Sequence, residues 1–339
     1  MQKELKYSLI RIIACIAIVV LHMTYGAVSI YGNMATEGAN FASWAIVNNL
    51  YWAVPCFVMV TGALLLDPKR EITYKKIFNK YIFKIVIALL IFTILYKIFD
   101  IVMNKEVFSA DTCLEILINF ITGNSWSHLW YLYMLIGLYL LLPFFRKVVA
   151  ASTNKEIVWL IVILLIFTSV LPLASILDIE IAFYIPIATI YPLYFIAGYL
   201  ISKPDFRIPS WIYIVAFFVS TAALIILTNC WCEQGLLALE IFFDYSSVIV
   251  VIQALSIFGI FTRCFKYKES KAKLLFSFDE CTFGIYLVHM FFARVMLRYL
   301  GINPYENIIL FIACIVGIII ITYLIVWALR KIPGVKRVL

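Results

Sequence analysis

Charge is what this chain has least of. Only 14% of its 339 residues are Asp, Glu, Lys or Arg, against 65% hydrophobic, and there are just three histidines. A soluble domain of this length needs far more polar surface, so the composition excludes one and points to a bilayer as solvent. Paired cysteines are missing too. The eight cysteines form no C-x-x-C and no metal spacing with histidine, so neither a redox motif nor a metal centre is expected. Cys15, Cys56, Cys113, Cys264, Cys281 and Cys314 are scattered in or beside apolar runs and read as small hydrophobes. Cys230 and Cys232 fall at a predicted loop, too close together to bridge well, so no disulfide framework is implied. The sequence also lacks G-x-S-x-G, H-E-x-x-H and a G-x-x-x-x-G-K-[ST] loop, which removes the parts of common hydrolases, zinc proteases and P-loop enzymes. No cleavable signal peptide is read, because the first apolar run has no small-residue cleavage site and continues as a full span.

What is there is hydrophobic length. Crossing about 30 Å of hydrocarbon takes roughly 20 apolar residues. Ten runs qualify, near 8–30, 43–66, 80–102, 127–145, 157–177, 184–201, 210–228, 240–262, 281–299 and 307–329. The third starts in a lysine-rich turn, the fourth ends at Pro143, and Pro186 and Pro192 shorten and bend the sixth. The shorter run 112–123 reads as an amphipathic interfacial piece. Aromatics at 17% suit chains with many Trp and Tyr at two water–lipid interfaces. The connections between runs are too short to fold separately, so residues 1–339 are expected to form a single transmembrane domain. The fold class is all-α, a polytopic membrane helix bundle of about ten transmembrane helices.

The net charge of +8 does not indicate nucleic acid, because the cations lie in short clusters rather than one stripe. The clusters alternate with acids along the chain. Lys69, Arg70, Lys75, Lys76 and Lys80 are followed by Asp100, Glu106, Asp111 and Glu115; Arg146, Lys147 and Lys155 by Asp178 and Glu180; Lys203 and Arg207 by Glu233 and Glu240. Arg263 through Lys273, and Arg330 through Arg337, complete the basic set. The positive-inside rule then places both termini in the cytoplasm.

Two residues in the first run stand out. Arg11 and His22 lie in SLIRIIACIAIVVLHMTYG with no other charge between them. Eleven positions advance a helix by about three turns, so both side chains share a face. Ionisable residues inside spans face the bundle interior or a cavity, which makes His22 a catalytic candidate and Arg11 its companion. A structural histidine could equally donate to a carbonyl, and Arg11 could snorkel to headgroups. His128, in NSWSHLWYLY, begins the fourth run where it can approach His22, or serve as an interfacial anchor with Trp126 and Trp130. His289, near the middle of the ninth run, has Tyr286 one turn earlier as a natural hydrogen-bond neighbour. Acids inside the runs are scarce, which weakens a proton-coupled transporter.

The R-x10-H of the first run, with VPCFVMVTGALLL, SHLWYLYMLIGLYLLLP and FGIYLVH in that order, resembles the acyltransferase-3 family of integral membrane acyltransferases. The branch it most resembles is the short, stand-alone surface-polysaccharide O-acyltransferase type. Where that family often has an acid three positions before the arginine, this chain has Ser8; where it often has a serine before the second-run glycine, this chain has Thr61. The resemblance implies a cytoplasmic acyl-coenzyme A co-substrate, usually acetyl-coenzyme A, and no tightly bound cofactor. Arg11, Lys80, Lys84 and Arg146 would meet its phosphates, and His22 would act as general base or acyl carrier. His128, Trp126 and Tyr131 would line the acceptor mouth, with Tyr286 and His289 in support. The implied acceptor is a hydroxyl of an envelope glycan or glycolipid, the implied setting the bacterial cytoplasmic membrane with its lipids, and the oligomeric state stays open. Two other readings fit the same composition: an exporter of an envelope precursor, and a ligand-sensing or uptake module like that of membrane-bound serine racemases.

Overall fold

The computed structural model describes residues 4–179, 181, 189–265 and 273–339. Among them there is no strand. In a bilayer every backbone polar group must be satisfied within the chain, and helices do this segment by segment. The helices are α1 (Leu5–Tyr31), α2 (Glu37–Asn48), α3 (Ala53–Leu65), α4 (Tyr74–Asn104), α5 (Ala110–Thr122) and α6 (Trp130–Ala151), followed by α7 (Asn154–Leu177) and α8 (Ile190–Ser202). Then come α9 (Ser210–Gln234), α10 (Val248–Cys264), α11 (Lys273–Tyr299) and α12 (Ile308–Leu329). Their starts are coded locally: Thr36 caps α2, Asn307 caps α12, and Ser109–Thr112 and Thr153–Glu156 form capping boxes for α5 and α7.

Each of the ten apolar runs contains a helix, but among the described residues eight helical segments are long and apolar enough to cross a membrane. The sixth and eighth runs give shorter helices, α8 and α10. Both are largely buried, so their length is set by protein neighbours rather than by lipid. Most of the sixth run before α8, including Pro186, lies outside the described residues, and Pro192 sits in the first turn of α8, where a missing N–H costs nothing. The second run breaks into α2 and α3. The fourth does not end at Pro143: α6 carries that proline in its interior and continues to Ala151, as membrane helices with packed neighbours can. Helix α4 begins at Tyr74, ahead of the lysines, through a π-helical turn over Ile77–Ile82. Cys230 and Cys232 lie within α9, not in a loop.

Two contacts organise the interior. Helices α1 and α11 run parallel: Arg11 pairs with Asp279, Cys15 Sγ approaches the carbonyl of Thr282, and His22 meets His289. Helices α3 and α8 run parallel, with Tyr51 and Tyr191 at their starts both packed on Tyr245, and touch backbone to backbone through two glycines. A Cβ on Gly62 would fall 1.8 Å from the carbonyl oxygen of Phe195, and one on Gly198 2.1 Å from that of Met59. With no hydrophobic drive between helices in lipid, such close approach through small residues is what holds them together. Gly62→Ala is therefore expected to lower the thermal midpoint of the detergent-solubilised protein by at least 5 °C, whereas Gly137→Ala, whose Cβ meets nothing within 4 Å, leaves it unchanged. Equal midpoints for the two variants would discount the contact.

Two arginines close helix ends. Arg146 donates to the carbonyls of Leu65, Asp67 and Arg70 just past α3, and Arg263 to those of Ile201, Lys203 and Phe206 past α8. A cation there satisfies orphan carbonyls and complements the helix dipole.

Candidate active site

Arg11 sits where α1 meets the first half of α11. Its Nε donates to Asp279 Oδ1 at 2.5 Å and its Nη2 to Oδ2 at 2.7 Å, while Ser8 Oγ donates to Oδ2 at 2.7 Å. Ser8 thus does not leave the arginine unpaired; it completes the shell of an acid supplied by another helix. The described spans do contain acids. Asp279 is buried within α11, and Asp100 lies in α4, so neither belongs to a loop.

About 16 Å further along α1, the three histidines converge. His22 Nδ1 lies 2.8 Å from His289 Nε2. The His289 Nδ1 faces the carbonyls of Tyr286 at 2.7 Å and Ile285 at 3.2 Å. A nitrogen facing carbonyls must carry the hydrogen, so neutral His289 presents a lone pair at Nε2. The hydrogen between the rings then belongs to His22 Nδ1, and the basic nitrogen of His22 is Nε2. The chain of carbonyl, His289 and His22 fixes a tautomer much as a carboxylate does in a hydrolytic triad, without a formal charge. Because the two nitrogens face each other at hydrogen-bond distance, no ion fits between them, and the described residues hold no group of metal ligands.

His128 closes the cluster, its ring centroid 6.4 Å from that of His22 and 5.8 Å from that of His289. Tyr286 contacts it differently from the sequence expectation. The tyrosine hydroxyl donates to the backbone carbonyl of His128, and Tyr286 serves His289 through its own carbonyl.

Cavities approach the cluster from both ends of the bundle. At the lysine-rich end a vestibule of about 780 Å³ is bordered by Glu4, Arg70, Lys76 and Lys80. It shares Arg11, Thr61, Lys80, Tyr81 and Tyr139 with a narrower cavity of about 240 Å³ that continues past Ile18 to Tyr131 and Tyr286. From the opposite end a cavity of about 310 Å³ reaches His22, between Trp126, Arg294 and Arg298. The Tyr131 and Tyr286 rings, 5.4 Å apart, and the histidines form the partition between the two. The family model described as an acyltransferase domain, that of acyltransferase-3, matches residues 5–327. The chain belongs to the acyltransferase-3 family. No curated protein and no solved structure matches it.

Against that membership the individual residues of this acyltransferase can be placed. Arg11, Lys80 and Lys84 line the cavities of the lysine-rich end. Lys84 also reaches the carbonyl of Leu339 at 3.2 Å and lies over the Phe283 ring. Arg146 does not join them: its guanidinium is committed to the carbonyls after α3, and it borders neither cavity that holds Arg11. Trp126 walls the opposite cavity but is already engaged. Tyr96 stacks on it at 4.1 Å, the Arg294 guanidinium lies 4.6 Å from its ring, and its Nε1 donates to Asp100 at 2.8 Å. Tyr131 lies on the other side of the partition, in the lysine-rich cavity. The residues missed in the sequence are Asp279, Asp100, Arg294 and Arg298. The signal for Asp279 was available as spacing: Asp279 to His289 is nearly the same interval as Arg11 to His22, as parallel helices require.

Proposed function

We propose that this multi-pass membrane acyltransferase moves an acyl group, acetyl in the first instance, from coenzyme A to a hydroxyl of a cell-envelope carbohydrate or glycolipid. The observation that carries the reading is the placement of His22, with Nε2 free of protein partners among the described residues, at the wall between two cavities. Alternating charge along the sequence orients the lysine-rich end towards the cytoplasm, where acyl-coenzyme A is available. Its phosphates meet Arg11, Lys80 and Lys84, and the pantetheine arm follows the cavity along α1 to the partition. The acceptor enters from the opposite end. His22 Nε2 takes the hydroxyl proton as the oxygen attacks the thioester carbonyl carbon. The tetrahedral intermediate then expels the thiolate of coenzyme A, which recovers the proton from the imidazolium.

The split between the donor-binding cations and the capping Arg146 gives a direct test with labelled acetyl-coenzyme A and chain reconstituted in vesicles. Lys80→Gln is expected to raise KM for acetyl-coenzyme A about tenfold, the worth of one charge-assisted contact to phosphate, and to flatten its salt dependence. Arg146→Gln is expected to lower the thermal midpoint while leaving that KM within about twofold, since the Arg146 guanidinium binds backbone carbonyls rather than the donor. The reverse pattern would move the donor site to the Arg146 side.

A further inference from the structure

The cavity that reaches His22 from the end opposite the lysines is basic. Arg294 and Arg298 both border it. They lie five and nine residues beyond His289, about 7 and 13 Å along the axis of α11, and Arg298 falls in a π-helical turn over Val295–Tyr299. Side chains on a helix lean towards its N-terminus, so Arg298 leans back towards the histidines.

The two cations are not equivalent. Arg294 is spoken for, with Asp100 Oδ1 at 3.2 Å and Trp126 beneath its guanidinium. Arg298 is exposed and, among the described residues, has no acid within ion-pair distance. The uncompensated charge bordering this cavity is therefore one positive unit, in the same cavity as His22. Of the other cations at this end, Lys97 pairs with Glu115 at 2.8 Å, whereas Lys105 has no acid within ion-pair distance among the described residues. The positive-inside rule also disfavours cations on this side, so a topology role does not account for Arg298.

We infer that the acceptor is anionic: it carries a carboxylate or a phosphodiester on the sugar or polyol unit that is acylated, or on its neighbour, and Arg298 binds that group while Arg294 and Trp126 form a fixed wall. An arginine fork suits either anion, since both offer paired oxygens. The inference rests on the acyltransferase reading of the same site. It also replaces aromatic stacking on Trp126 as the source of acceptor affinity, because Tyr96 and Arg294 already cover that indole.

The test uses the full chain in vesicles, labelled acetyl-coenzyme A, and envelope material from the cells that express it, separated afterwards on an anion exchanger. Label is expected in the retained fraction. Prior carbodiimide–borohydride reduction of the material should abolish it if the anion is a carboxylate, and prior hydrofluoric acid treatment if it is a phosphodiester. Arg298→Gln should raise KM for the retained acceptor at least tenfold with a smaller change in kcat, and Arg298→Lys should recover most of the loss. Label confined to the neutral flow-through, or an Arg298→Gln enzyme with unchanged KM, overturns the inference and leaves the acyltransferase reading standing. Label in no fraction overturns that reading as well.

Discussion

Replacing His22 by alanine is expected to lower acetyl transfer by about 10²–10⁴-fold, the range for removal of a positioned general base. Alanine alone is an ambiguous probe. It also strips His289 Nε2 of its donor, and a buried acceptor left unmade costs about 1–3 kcal/mol. His22→Asn separates the two effects. An asparagine amide nitrogen occupies much the same place as histidine Nδ1, so it can still donate to His289, but nothing replaces Nε2. The expected result is an asparagine variant as inactive as the alanine one, with a thermal midpoint close to wild type. Ile16→Val, on a more exposed part of the same helix, is the control and should match wild type in both. An asparagine variant with near-normal transfer would remove His22 from the chemistry. A denaturing quench at neutral pH without acceptor, run on wild type and on His22→Ala, distinguishes base from carrier: label retained on the wild-type chain and absent from the variant would make His22 an acyl carrier.

His289 is a positioning residue in this scheme, because it holds the His22 tautomer without reaching either cavity. That role was hidden in the sequence. A histidine in the middle of an apolar run reads as packing until its partner is known, and the partner lies 267 positions away. The bundle itself was legible because hydrophobic length and alternating charge are local properties. The break in the second run was less so. It falls where Asn48 donates to Thr228 and Asn49 accepts from Gln253, partners on segments far apart in sequence. Arg146 was misplaced for a related reason. Its position after an apolar run reads as a membrane boundary, but only the tertiary fold shows that the carbonyls of a different helix end there. Asp279 escaped because Asp-Glu at the head of an apolar run lowers local hydropathy and looks like a loop. The helix in fact begins six residues earlier, at Lys273, so the acid lies inside it.

The largest expected effect on stability comes from that acid. Removing one member of a buried, hydrogen-bonded ion pair costs about 3–5 kcal/mol, because the charge left behind has lost its compensation. Asp279 is almost wholly buried and Arg11 about a quarter exposed. Water reaching the arginine should therefore hold the cost of Asp279→Ala towards the lower end of that range. Arg11→Met leaves the buried carboxylate, among the described residues, with only Ser8 to donate to it, so it should cost at least as much. If the pair serves stability alone, the double variant Arg11→Met with Asp279→Leu should unfold at a higher midpoint than either single variant, since burial of matched apolar groups can replace a buried pair at little cost. Its catalytic behaviour should not recover. Asp279 engages Nε and Nη2 of the guanidinium and leaves Nη1, among the described residues, without a carboxylate partner; in the proposed donor site the carboxylate would aim the Nη1 donors at the coenzyme phosphates. Asp279→Asn, which keeps the volume, is thus expected to raise KM for acetyl-coenzyme A even where the fold survives. Thermal unfolding in detergent and KM measured on the same preparations separate the two roles. A double variant no more stable than the singles would mean that the pair does not act as a unit. An unchanged KM in Asp279→Asn would mean that Arg11 needs no aiming, and would reduce the buried acid to a counter-ion.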